Sequence, residues 1–464
     1  MPLALRRSFL LASVLSLTLG TGRSNAQRPA DPPAWLEAYR EPVSRLVGAS
    51  LSSDFAWQRL AALTDGIGHR LSGSPQLDRA IAWAVAEMKK DGLENVHTER
   101  VMVPRWVRGR ESAEIVSPAP HAIAMLGLGD SVGTPPAGVQ AEALVVNSLD
   151  ALESNAARAR GRIVVFNVPY TGYGETRPVR TNGASRAARH GAVGVLVRAI
   201  GPAGLRLPHT GALQYAEGVP RIPAAAIASE DADRLQRMAD RGDTIVLKLA
   251  MEAHVEAEVP SANVIGELRG RELPDEVVVV GGHLDSWDVG AGASDDGGGC
   301  VATWEALRLM KALNLRPRRT VRVVLFTNEE NGTRGGLGYR DSHAAELARH
   351  VMMLEADDGL FPPNSFGLTG SPRARQTVQA IASLLEGIGA HRVAANGGGS
   401  DIEPSVTAGR LPSMSYDGSG DYFLLHHTQA DTVDKIAAVD VSRAAAAIAA
   451  MAYVVADLPQ RLGD

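Results

Sequence analysis

The chain has 464 residues, 45% of them hydrophobic and 21% charged, enough for two or three globular units with their own cores. Its 47 Lys and Arg against 52 Asp and Glu leave a net charge of −5, which argues against a polyanion-binding surface, and no nucleic-acid partner is expected. The single cysteine, Cys300, excludes intramolecular disulfides and zinc sites built on several thiolates, so any metal is held by His and carboxylate.

The N-terminus reads as an export signal over residues 1–26. Arg6 and Arg7 precede an apolar run from Phe9 to Leu19, and Ser24-Asn25-Ala26 offers small residues before Gln27. Arg6-Arg7-Ser8-Phe9-Leu10 also fits the twin-arginine pattern, and an ordinary secretion signal fits equally well. A periplasmic or secreted protein is expected. No later apolar stretch is expected to reach the ~20 residues of a membrane span, Ala444–Val455 being too short, so no membrane insertion is expected after signal cleavage.

Residues 27–135 form a first segment. Ala56–Leu63 and Ile81–Met88 read as helices, the second with Ile81, Val85 and Met88 on one apolar face. Over residues 136–255 short β-branched runs (Leu144–Val146, Ile163–Val168, Gly194–Val197, Ile245–Leu249) alternate with Gly/Pro-rich turns, which predicts a β-rich inserted unit. Its arginines, Tyr170, Tyr173 and His209 are read as solvated loop residues rather than as the wall of a neighbouring site.

Residues 256–464 alternate strand and helix. Val277–Val280 reads as a strand buried on both faces and is followed by a loop to Asp296, then by a helix through Ala302, Leu307, Leu309 and Met310. Val321–Phe326 repeats the buried strand, Ala344–Arg349 reads as helical, and Val351–Leu354 is a third strand. Arg375–Leu385, Ser413–Tyr416 and Val441–Val455 follow as helix, strand and helix. The fold class is α/β, a mostly parallel central sheet flanked by helices, and ligands in such sheets gather at the carboxyl ends of the strands.

Those strand ends carry the chemistry. The first buried strand ends at His283 and its loop delivers Asp285 and Asp295-Asp296. The second ends at Glu329-Glu330, the third at Asp357-Asp358, and His426-His427 follows the last. Desolvation costs several kcal/mol for each uncompensated buried ion, so cations must neutralise this crowd. Two His with three or more carboxylates and no thiolate suit zinc, with cobalt or manganese as substitutes. In the Glu-Glu doublet one carboxylate can ligate while the other acts as base.

Gly282-His283-Leu284-Asp285-Ser286-Trp287-Asp288, Ala293-Ser294-Asp295-Asp296-Gly297, Asn328-Glu329-Glu330-Asn331-Gly332, Glu355-Ala356-Asp357 and His426-His427-Thr428 with Asp431-Thr432 together resemble the co-catalytic di-zinc aminopeptidase family. The stretch from Ser72-Gly73-Ser74-Pro75 to Pro104-Arg105-Trp106 resembles the same family, and the inserted unit resembles a protease-associated domain. The resemblance implies two zinc ions, one held by His283 and Asp357, the other by Glu330 and His427, with Asp295 bridging. It also implies Glu329 as general base, Asp285 hydrogen-bonded to the His283 imidazole, and a cis Asp295-Asp296 peptide. The activity implied is exopeptidase cleavage of small peptides, dipeptides with free ends included; a homodimer is compatible with it.

Three other readings stand beside this one. They are a non-catalytic binding protein on the same scaffold, a single-zinc aminoacyl cyclotransferase, and a hydrolase of N-acyl amino acids. The intact ligand set and base argue against the first, the bridging pattern favours two metals over the second, and the position of the insert before the first metal histidine argues against the third. His426, Asp401 and Asp417 are candidates for the cleft wall. Cys300 reads as a small buried hydrophobe.

Overall fold

A computed structural model describes residues 33–464; the expected signal segment lies outside them. These described residues build two eight-stranded sheets. In the first, the strands run in the order Glu94–Val107, His254–Leu268, Arg319–Phe326, Leu273–His283, His350–Phe361, Ser413–Ser419, Asn364–Thr369, Val393–Ala395. The four central ones, from Arg319–Phe326 to Ser413–Ser419, are mutually parallel, and antiparallel strands flank them.

The Val277–Val280 run shows why this sheet is buried on both sides. Val278 and Val280 pack into the large core with helices Glu37–Leu51, Phe55–Ile67, Pro75–Lys90, Gly298–Ala312 and Ala438–Asp457. Val277 and Val279 face the opposite core with Ile265, Phe326 and Tyr339. Alternate side chains of a strand point to opposite faces, so a continuous apolar run needs cover on each.

Several elements differ from expectation. Helix Pro75–Lys90 buries Leu77, Ala80, Ala84 and Met88, while Ile81 and Val85 sit half-buried beside that stripe. The helix expected at Ala344–Arg349 is instead Arg334–Ser342, followed by a 3-10 turn at Leu347–Arg349. Its glycines permit close packing there: a Cβ on Gly335 would lie 2.4 Å from the Thr327 carbonyl. The third parallel strand continues past Asp357 to Phe361, with a register shift between Glu355 and Asp358. The closing helix spans Ala438–Asp457, 20 residues that are long and apolar enough to cross a membrane, contrary to the length read from sequence. Its most apolar window is 83% buried inside the protein, which marks it as a core helix.

The second sheet runs in the order His121–Ile123, Glu111–Ser117, Val246–Met251, Val139–Val146, Ile163–Phe166, Gly194–Arg198, Ala224–Ile227, Met125–Gly127. Strands before residue 136 belong to it, so the border expected at 135/136 falls inside the sheet. Nor is this region β-rich alone, because helices Leu149–Ser154, Tyr173–Arg189 and Ser229–Asp240 accompany it. Tyr173–Arg189 escaped the sequence reading because its buried face is Thr176, Val179, Arg180, Gly183, Ala184 and Ala187, which lacks the large aliphatics that mark an amphipathic helix.

Candidate metal centre and active site

Five chain segments converge at the carboxyl edge of the central strands. His283 ends its strand, and its Nδ1 lies 3.0 Å from the Asp285 carbonyl oxygen. That contact makes Nδ1 the protonated nitrogen and leaves the Nε2 lone pair free. Nε2 stands 3.1 Å from Asp357 Oδ1 and 3.3 Å from Asp295 Oδ1. His427 mirrors this: Nδ1 is 3.2 Å from the Thr210 carbonyl oxygen, and Nε2 is 3.0 Å from Glu330 Oε2 and 3.2 Å from Asp295 Oδ2. Asp295 gives one oxygen to each histidine.

With both Nδ1 atoms donating to carbonyls, each Nε2 is left facing carboxylate oxygens, an arrangement that needs a positive charge, a proton or a metal ion, between them. Asp295 Oδ2 is buried and has no hydrogen-bond partner. Bonds of 2.0–2.2 Å to tetrahedral zinc separate adjacent donors by about 3.3–3.6 Å, close to the spacings observed. The donor set and its geometry fit zinc.

Charge effects point the same way. Burial works to lower the His283 pKa, yet the Asp357 and Asp295 carboxylates hold it well above the ordinary value. His427 is raised against burial by Glu330. Burial, then the Asp295 charge, pushes Glu330 up to about 8, and burial pushes Asp357 well above the carboxylate range. The site is short of positive charge.

A surrounding layer fixes these groups. The Asp285 carboxylate does not hydrogen-bond the His283 ring as expected, lying 3.9 Å from Nδ1. It accepts from the Glu329 and Glu330 amides at 3.1 and 3.4 Å and from Ser72 Oγ at 3.2 Å. The side chain therefore organises the Glu-Glu turn, while the backbone of the same residue orients the imidazole. Asp296, joined to Asp295 by a cis peptide, accepts from the His283 and Gly299 amides, each at 3.0 Å.

Two residues of this layer were given no role from the sequence. Asp431 accepts the amides of Ala293, Ser294 and Asp295 at 3.1, 2.6 and 3.1 Å and so fixes the backbone of the shared carboxylate. Its place four residues after His427 was the available signal. Fully buried Arg70 donates to the carbonyls of Gly68, Leu284, Ala291 and Gly292 and clamps the loop between His283 and Asp295.

The centre opens into a cleft of about 810 Å³, lined by Asp295, Glu329, Glu330, Asp357 and His427 and faced by Tyr173, Arg177 and Arg180 of the second sheet's helix. The Glu329 carboxylate makes no hydrogen bond among the described residues and borders this cleft. His426 is buried and stacks on His427 with ring centroids 4.0 Å apart; burial holds its pKa well below the ordinary value. Tyr173 and His209, read from sequence as loop residues, both pack on His426, with centroids 5.0 and 6.0 Å away. Asp401 is fully buried rather than in the cleft wall, and Asp417 lines a side pocket that adjoins the cleft. Cys300 is buried, and burial pushes its thiol well up, which keeps it a neutral core side chain.

The family model of peptidase family M28 matches residues 263–452. Carboxypeptidase Q of Mus musculus is 42% identical over 99% of this chain and 99% of its own length. The Homo sapiens protein of that name is 44% identical over 88% of this chain and 86% of its own length. The chain belongs to peptidase family M28. The crystal structure of an M28 peptidase precursor from Shewanella amazonensis superposes with a TM-score of 0.88 at 36% identity, covering 92% of this chain and 99% of that one. An aminopeptidase from Aneurinibacillus shares the fold, with a TM-score of 0.66 at 20% identity over 90% of this chain and 97% of its own. As a member of family M28 the protein is a zinc metallo-exopeptidase.

Proposed function

We propose that the protein hydrolyses small peptides with free ends, dipeptides among them, using two zinc ions held by His283 and Asp357 on one side and by Glu330 and His427 on the other, with Asp295 between. The observation that carries this reading is the sharing of Asp295 by two histidine–carboxylate pairs, each 3.0–3.3 Å across. The relatives named carboxypeptidase Q support an exopeptidase acting at peptide ends.

When bound, divalent ions would supply Lewis acidity, lowering the pKa of the attacking water and polarising the scissile carbonyl. Glu329 takes the proton of the attacking water and passes it to the leaving amine. Asp285 keeps that base in place through the amides of residues 329 and 330. The Asp285 and Thr210 carbonyls fix the tautomer and tilt of the two imidazoles. Asp431 sets the backbone of Asp295, and His426 with Tyr422 and Phe423 walls the site against bulk water. The cleft's carboxylates favour a substrate that brings an ammonium group, as a free N-terminus does.

Glu329→Gln tests the assignment. Zinc content is expected to stay at the wild-type level while dipeptide turnover falls by about 10²–10⁴-fold. Unimpaired turnover removes Glu329 from its role as base.

A further inference from the structure

The cleft is acidic on the side of the metal centre, and its described lining residues include two cations, Arg177 and Arg180. Both lie on helix Tyr173–Arg189, three residues apart and therefore on one face. Arg180 is 5% exposed. Its Nη1 donates to the Thr210 carbonyl at 3.0 Å and its Nη2 to Tyr173 Oη at 2.7 Å, whereas its Nε is buried without a partner. Among the described residues no carboxylate lies within ion-pair distance of it.

Other buried arginines of this chain differ. Arg59 pairs with Asp91, Arg319 with Glu276 and Arg322 with Glu267. Arg70 has no carboxylate either, but it spends its donors on four carbonyls. Arg180 keeps a desolvated charge with an unpartnered Nε at the wall of the cleft, a state that an arriving anion would relieve. Its guanidinium lies against Gly211, where a Cβ would sit 2.3 Å from Nη1, so the loop leaves it little room to swing away.

The placement selects the anion. Arg180 Nη1 is 3.4 Å from Nδ1 of His427, beside the metal centre. In a dipeptide the terminal carboxylate carbon lies about 4 Å or less from the scissile carbonyl carbon, so a carboxylate one residue past the cut falls within reach of this guanidinium. A planar fork of N–H donors also suits a carboxylate better than any neutral amide.

We propose that Arg180, assisted at the rim by Arg177, is the side chain that binds the α-carboxylate of the residue following the scissile bond. The proposal rests on the exopeptidase reading above and assigns the side chain that measures substrate length. The ammonium end lies toward the carboxylate floor and the carboxylate end toward the helix of the second sheet. That sheet thereby becomes part of the substrate site.

The test compares a free dipeptide with its C-terminal amide, using full-length mature wild type, Arg180→Met, Arg180→Lys and Arg177→Met, each checked for zinc content. Wild type is expected to favour the carboxylate substrate strongly in kcat/KM. Arg180→Met should lower that ratio by about 10- to 100-fold, the loss of one charge-assisted contact, chiefly through the KM of the free dipeptide. Arg180→Lys should recover part of the ratio, and Arg177→Met should lower it about two- to threefold. An equal fall for both substrates in Arg180→Met overturns the proposal, as does a wild type indifferent to amidation. A wild type that cleaves neither substrate rejects the exopeptidase reading itself.

Discussion

Two networks of acids in this protein, one half-buried and one buried, use the same residue types to opposite ends. Away from the cleft, Glu99, Glu267 and Glu346 meet Arg322 and His343. Arg322 donates to Glu267 at 2.7 Å and Tyr339 Oη at 2.9 Å and reaches Glu346 at 3.2 Å, while His343 bridges Glu99 at 2.7 Å and Glu346. Burial works to raise Glu99 and Glu346, but their contacts with His343 hold both below the usual carboxylate range. Every acid there has a cation from the chain itself. At the metal centre Asp295, Glu330 and Asp357 meet histidines that are already committed to backbone carbonyls through Nδ1, and no arginine or lysine contacts these three carboxylates among the described residues. The first network is complete as folded, and the second requires charge from outside.

Removing divalent ions should separate the two most sharply. Chelation is expected to abolish hydrolysis and to lower thermal stability, by about 4 kcal/mol relative to zinc at a thousandfold excess over its Kd, with recovery on adding zinc. Calorimetry with and without chelator checks this, and an unchanged melting temperature would mean that the carboxylates at the centre need no cation.

A smaller break comes from Asp431→Asn. The amide keeps the size of the side chain but loses the charge that gathers three backbone N–H groups around Asp295, so zinc affinity or activity should fall about 10- to 100-fold. Titration with a competing chelator measures it, and wild-type affinity would show that the backbone of residues 293–295 holds without Asp431.

The smallest effect is expected at the self-contained network. His343→Gln should leave kcat unchanged and destabilise by about 1–2 kcal/mol near pH 6. Burial opposes the charge on His343, but Glu99 and Glu346 raise its pKa above the ordinary value. Its stabilisation is then fully present below about pH 6.5 and is lost as pH rises through the raised folded value. The gap between wild type and variant should accordingly close in alkaline solution. Denaturant midpoints across pH record it, and a gap that widens with pH would reverse the assigned sign.

The sequence made the candidate metal centre readable because the proposed ligands sit where buried strands stop, and a run such as Val277–Val280 announces both the strand and its end. The identities of the acids and histidines told what could gather there. Helix Tyr173–Arg189 was hidden because its inward face is small and polar, so Arg180 read as one more loop charge. The strands of 111–127 were hidden because they are short and half-exposed, and their pairing with Val246–Met251 and Ala224–Ile227 spans more than a hundred residues of chain. The contribution of Asp285 was split between side chain and backbone, a division that residue spacing does not encode.

X-ray data collected on either side of the zinc absorption edge, from crystals of the mature protein, would locate the ions themselves. Two peaks are expected, about 3.5–4 Å apart, one against His283 and Asp357, the other against Glu330 and His427, with Asp295 touching both. A single peak, or two that leave Asp295 unshared, would contradict the assignment of a bridged zinc pair.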